Sequence, residues 1–94
     1  MPRLGFTLND GGGRRYVKAL PLVGLEDVEL VKTEIGSGNI VILRITPLAR
    51  RSVEDLKEAV NLLKDYAERV GGDIARLGEE RIVLTPADVK IWRS

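Results

Sequence analysis

Ninety-four residues suggest a single domain, and a chain of this size buries only about two-thirds of its unfolded surface, so its core is thin. Fifteen Lys and Arg against 14 Asp and Glu leave a net charge of +1, too balanced for the one-sided basic face of a strong nucleic-acid binder. The chain has neither Cys nor His, which excludes disulfides, thiolate nucleophiles, Ser-His triads and metal sites built on either residue. Its longest apolar run, "IVIL", is far too short to span a membrane, and no signal-peptide h-region is visible.

Residues 1–15, "MPRLGFTLNDGGGRR", carry Pro2, Gly5 and three consecutive glycines, which oppose regular structure. They read as a flexible N-terminal segment ahead of a core domain over 16–94. "GGGRR" lacks the preceding strand, following helix and Lys-Ser/Thr pair of a phosphate-binding loop, so it reads as a linker. "YVKALPLV" (16–23) is a first strand, with Pro21 confined to its end or to a sheet edge because it cannot donate to a ladder. "LEDVELVKTEI" (25–35) follows as a helix: Leu25, Val28, Val31 and Ile35 recur at near-helical spacing, and carboxylates crowd its N-terminal end. Gly36 is then the expected left-handed stop.

"NIVILRIT" (39–46) is nearly continuous apolar sequence and fits a central strand covered on both faces. Arg44 interrupts it near the end. Its guanidinium either snorkels to the sheet rim or meets a carboxylate of a partner. "TPLARRS" is expected to be a loop, with Pro47 ending the strand and Ser52 opening the next helix. Asp55, three residues after Ser52, completes the outline of a capping box. That helix spans 53–70, with Leu56, Ala59, Val60, Leu63, Tyr66, Ala67 and Val70 in one apolar stripe, while Lys57, Lys64, Asp65 and Glu68 face outwards.

Gly71 and Gly72 end the helix. "DIARL" and "RIVLT", joined by "GEE", read as a hairpin; Pro86, Ala87 and Asp88 make another turn, and "VKIW" is a last short strand. The order is βαβαβββ. The fold class is α/β: a single α/β sandwich, its mixed sheet packed with two helices, the helix-joined strands parallel with right-handed crossovers.

The ordered set "SGNIVILRITPLARRS" and "LKEAVNLLKDYAERVGGDIARLGEERIVLTPADVKI" resembles the SepF family of cell-division proteins, especially its archaeal SepF-like branch. The shared pattern is a "GxVVxLNI"-type strand, a helix with a regular apolar stripe, a Gly-Asp-Ile segment and a closing "LTPxxVxI", over about residues 16–92. The resemblance implies a homodimeric, non-enzymatic adaptor without cofactors. Such an adaptor binds the C-terminal tail of the tubulin-like division GTPase FtsZ, in the cytoplasm at the inner face of the cell membrane. Family members reach the membrane through an N-terminal amphipathic helix. Here "MPRLGFTL" departs from that pattern: Leu4, Phe6 and Leu8 alternate, and Pro2 and Gly5 break the segment.

The resemblance also implies site residues. The family's tail groove takes a basic residue from the strand after the Gly-Asp segment and an apolar one from the next strand, positions that fall near Arg76 and Ile82. Arg76 would meet a carboxylate of the tail and Ile82 an apolar side chain. Judged by residue type alone, Arg76 is more simply an exposed strand charge and Ile82 an ordinary core residue; the resemblance brings the two readings level. The turn at Gly71 and Gly72 falls at a subunit contact in the family, so a larger residue at Gly72 is expected to disturb self-association more than folding. Two other readings compete. One is a small nucleic-acid-binding protein using Arg14, Arg15, Arg50 and Arg51, against which stand the charge balance and the lack of a stacking pair of aromatics. The other is a ligand-sensing module, for which no Gly-rich loop or metal cluster speaks.

Overall fold

In the computed structural model, residues 4–7 and 15–93 are described. The elements are β1 (Leu4–Thr7), β2 (Val17–Pro21), α1 (Asp27–Gly36), β3 (Ile40–Arg44), α2 (Thr46–Arg51), α3 (Val53–Val70), β4 (Asp73–Leu77), β5 (Arg81–Thr85) and β6 (Lys90–Arg93). Four strands form a mixed sheet in the order β2-β3-β5-β4. β2 runs parallel to β3, and β5 is antiparallel to both β3 and β4. The α/β sandwich and its parallel, helix-linked first pair match the expectation.

Alternation along the strands sorts the sheet into two faces. Val41, Leu43, Ile82 and Leu84 pack with Val28, Val31 and Ile35 of α1, Leu48 of α2, and Ala59 and Leu63 of α3. That is the main core, and all three helices contribute to it. On the opposite face, Ile40 and Val83 meet Val89 and Ile91 in a second, smaller cluster. The chain beyond β5 therefore turns back over the face the helices leave open.

Four local expectations need correction. The "TPLARRS" stretch is not a loop. It is the six-residue helix α2, with Pro47 in its first turn, where the missing N–H has no partner to lose. Leu48, fully buried, anchors this helix in the core. Three helices, not two, therefore pack on the sheet. Gly36 does not stop α1 in a left-handed conformation; it lies in the last turn, and the left-handed residue is Gly38, at φ 91°. The last strand pairs with β1 and not with the main sheet. Finally, the N-terminal segment expected to lack regular structure contributes β1, paired with β6 from Leu4 opposite Arg93 to Thr7 opposite Lys90. The linker reading of "GGGRR", all but Arg15, and the membrane reading of Leu8 fall outside the described residues.

The long helix is bounded where its sequence says. Ser52 is extended, at φ −160°, and its Oγ accepts from the Asp55 N–H at 3.1 Å. The cap is one-sided, because the Ser52 N–H already donates to the Leu48 carbonyl of α2 at 2.8 Å. Gly71 closes α3 at φ 76° in the left-handed region.

The "GGD" and "LTP" segments meet in space. Asp73 sits at the start of β4, and its carboxylate gathers four donors. Oδ1 accepts from the Ile74 N–H at 2.9 Å and from Arg93 at 3.1 Å; Oδ2 accepts from the Ile91 N–H at 3.1 Å and from Arg93 at 3.3 Å. Thr85, fully buried, donates its hydroxyl to the Val89 carbonyl at 2.8 Å and accepts from the Asp73 N–H at 3.0 Å. These bonds clasp β6 against β4. Burial raises the Asp73 pKa, but the hydrogen bond from Arg93 and the amides of Ile91 and Ile74 outweigh it and hold the carboxyl below its ordinary 3.8.

A depressed carboxyl pKa contributes stability that is present above the unfolded-state value and is lost as pH falls through the folded-state value. Wild-type protein is therefore expected to lose stability as pH falls below about 4 and on through the depressed folded-state value. Asp73→Asn replaces an acceptor-only carboxylate with an uncharged amide whose NH2 is turned against donors, so it starts about 1.5–3 kcal/mol less stable at pH 7. Its acid limb is flatter. Denaturant titrations of both proteins across this range check the point, and parallel acid limbs would acquit Asp73.

Candidate functional site

Helix α3 crosses the sheet with Ala59, Leu63 and Ala67 against it, all buried. The two alanines let the helix sit close at its centre. Its shoulder residues Leu56 and Val60 are only half-buried and reach toward β4, the edge strand of the sheet. Between that shoulder and β4 lies a groove of about 570 Å³.

Its floor is apolar: Leu56 and Val60 from α3, Ile74 from β4, Ile82 from β5, and Ile45. Its rim is cationic. Lys57 and Lys64, two helical turns apart, stand on one side with Asn61 between them, and Arg76 stands on the other. No acidic side chain lines it among the described residues. Lys57, Asn61 and Lys64 are exposed, and neither lysine makes a salt bridge among the described residues. An apolar trough flanked by three cations matches a segment that carries apolar anchors between carboxylates.

Arg76 and Ile82 lie directly opposite each other across β4 and β5. The structure thus brings both expected site residues into one groove. Ile82 is only 6% exposed and belongs to the core as well as to the groove floor. Arg76 is exposed, and its guanidinium is partly engaged: Nε donates to the Gly78 carbonyl at 3.1 Å and Nη2 to the Glu79 carbonyl at 3.3 Å. Those bonds hold the hairpin turn and leave Nη1 without a hydrogen-bond partner among the described residues. β4 also has a free edge. Arg93 donates to the Ile74 carbonyl at 2.8 Å, but beyond it no strand pairs with the outer side of Ala75–Leu77 among the described residues.

Gly71 and Gly72 do not line the groove; they form the turn between α3 and β4. Gly72 has a reason within the chain to lack a side chain. A Cβ there would overlap the Thr85 carbonyl oxygen and lie 3.2 Å from its carbon. The helix side of the groove was missed in the sequence. Lys57 and Lys64 were read as solvated surface, and Leu56 and Val60 as core. The available signal was the spacing of Lys57, Asn61 and Lys64, a polar row with two cations beside the apolar stripe.

The family model for cell division protein SepF matches residues 17–91. Cell division protein SepF of Haloferax volcanii is 35% identical over 72 residues, which cover 74% of this chain. The chain spans 58% of the length of that relative. Among solved structures, the SepF-like protein from Archaeoglobus fulgidus is 35% identical with a TM-score of 0.72, covering 77% of this chain and 86% of that one. The SepF-like protein from Pyrococcus furiosus is 32% identical with a TM-score of 0.73, covering 81% and 92%. Cell division protein SepF from Methanobrevibacter smithii, solved in complex with FtsZ-CTD, has the same fold at 20% identity, with a TM-score of 0.69 over 76% and 89%. With the family pattern running from the first residue of β2 into β6, the chain belongs to the SepF family of cell division proteins.

Proposed function

We propose that this protein is a dimeric, non-enzymatic adaptor that takes the C-terminal tail of FtsZ into the groove between α3 and β4 and links it to the membrane during cell division. The observation that carries the reading is the groove itself: an apolar floor, three rim cations and a free strand edge in one place. A short acidic-apolar tail has the chemistry to fill it. Its apolar side chains would meet Leu56, Val60 and Ile82, and its carboxylates would meet Lys57, Lys64 and Arg76. The Methanobrevibacter smithii relative, which shares the fold, was solved with the corresponding domain of FtsZ bound. A role without catalysis is in keeping with a chain that has no His and no Cys.

The division of the chain into an N-terminal segment over 1–15 and a core over 16–94 belongs to the same reading. So does a cytoplasmic location at the inner face of the membrane. Attachment in this reading is peripheral, and among the described residues no helix is long and apolar enough to cross a membrane. Titration calorimetry with the FtsZ tail peptide of the source organism tests the reading. Saturable 1:1 binding per chain in the micromolar range is expected, weakening as salt rises. No heat at near-millimolar peptide would sink it.

A further inference from the structure

The face of the sheet away from the helices carries a second cationic feature, remote from the groove. Arg44 ends β3 and Arg81 begins β5, and the two are directly opposite in the ladder. Val41, Leu43, Ile82 and Leu84 of the same strands point to the helix-side core. The alternation therefore puts Arg44 and Arg81 on the other face, beside Ile42 and Val83. Both arginines are exposed, and among the described residues neither makes a salt bridge or a side-chain hydrogen bond. Glu79 and Glu80 lie in the adjoining turn, yet neither carboxylate pairs with them.

Like charges at directly opposed positions destabilise a ladder. Two guanidinium groups held there without a counter-charge form an arrangement that an anion would relieve. Space for one exists. A small cavity of about 200 Å³ opens beside the pair, walled by Ala19, Leu20 and Pro21 of β2 and by Ile42. Its size falls below the roughly 300–1,000 Å³ of pockets for drug-sized ligands, so the occupant is a small group. The apolar walls lower the local dielectric and strengthen attraction to the two charges.

We infer that Arg44 and Arg81 form a binding site for a phosphate-class oxyanion. Each guanidinium presents a fork of parallel N–H donors that matches two oxygens of one anion. A carboxylate has only two oxygens, in one plane, so two forks would have to share them. A tetrahedral phosphate group has enough acceptors for both forks, which favours phosphate over carboxylate between a pair of arginines. The group comes either as a free phosphate or as a phospholipid headgroup. The site stands on the opposite face of the sheet from the tail groove, so it holds or fails independently of FtsZ binding.

The test uses the full chain with inorganic phosphate as probe and acetate at matched ionic strength as control, read by thermal shift and calorimetry. Wild-type protein gains melting temperature saturably with phosphate and not with acetate. Arg44→Gln and Arg81→Gln each melt at or above the wild-type temperature without phosphate, because the repulsion is gone. Both lose the phosphate-dependent rise, with affinity down ~10-fold or more. Arg81→Lys keeps the charge without the fork and falls between. Flotation with phosphatidylglycerol vesicles, against phosphatidylcholine vesicles, identifies the source. Loss of flotation in the glutamine variants assigns the headgroup, and a phosphate response without arginine-dependent flotation assigns the free ion. If wild type and variants respond alike in both arms, or acetate acts as phosphate does, the site does not exist. If phosphate has no effect and the variants change the mass in sedimentation, the arginines serve a subunit contact and the inference is overturned.

Discussion

Gly72→Ala is expected to lower the melting temperature by roughly 10–20 °C. The added Cβ would overlap the carbonyl oxygen of Thr85, which is backbone at the end of β5. A flexible side chain could swing aside; a carbonyl held in this corner cannot. Thr85 is buried, its hydroxyl is bonded to both Asp73 and Val89, and Asp73 in turn holds Ile91 and Arg93. A shift at Thr85 would therefore loosen the clasp on β6 as well as the start of the hairpin. Overpacking a tight site costs typically 1–3 kcal/mol, and this one sits at the top of that range. Gly71→Ala is the comparison. Gly71 needs a left-handed φ of 76° but has open space around it, so only the backbone penalty of about 1 kcal/mol applies. Thermal denaturation of the two variants should rank Gly72→Ala well below Gly71→Ala. Equal melting temperatures would show that β5 yields freely at Thr85. The mass of Gly72→Ala in sedimentation, under conditions where it remains folded, then reports separately whether this turn also serves self-association.

Helix α3 and the β4–β5 hairpin were legible from sequence because their signals are local and redundant. An 18-residue stripe has room for its period to show, Ser52 caps one end, Gly71 closes the other, and Gly78 supplies the positive φ of the hairpin turn. Helix α2 was not legible. Six residues are too few to display a period, and Pro47 at its start has the same appearance as a strand breaker. β1 was hidden for a different reason: its partner, β6, lies more than 80 residues away, and nothing in "LGFT" announces a pairing that long-range contact alone specifies.

The groove was half legible. Arg76 and Ile82 came from the family resemblance, which carried a position without a geometry. Lys57 and Lys64 could not be told from solvated surface, since a lysine on the outer flank of an amphipathic helix has the same sequence context whether or not a strand edge lies beside it. What makes them candidate site residues is the gap between α3 and β4, a tertiary fact. The motif residues Asp73 and Thr85 show the reverse case. Their types signal turns, but their work is to tie the last strand to the edge of the sheet.

Reversing the two helix cations, in Lys57→Glu combined with Lys64→Glu, is expected to weaken FtsZ-tail binding by roughly 10- to 100-fold at low salt. Both lysines stand on the groove rim, exposed and without a salt-bridge partner among the described residues. Their removal therefore leaves no buried group unpaired, and the melting temperature should stay within a few degrees of wild type. The loss should shrink as salt rises toward ~0.5 M, because rim charges act across water. Arg76→Glu confounds the two effects, since its guanidinium also holds the Gly78 and Glu79 carbonyls of the hairpin turn. Arg76→Lys is the cleaner probe: it keeps one charge and loses the fork. Arg50→Glu, an equal change of sign on exposed α2 outside the groove, controls for net charge and should leave the tail affinity unchanged. If Arg50→Glu weakens the tail as much as a single reversal at Lys57 or Lys64 does, attraction is diffuse and the groove is not the docking site. If the double reversal binds like wild type while Leu56→Ala does not, the floor alone carries the affinity and the cations have another task. Selective loss at Lys57 and Lys64, screened by salt and spared by Arg50, places the acidic tail along the outer flank of α3.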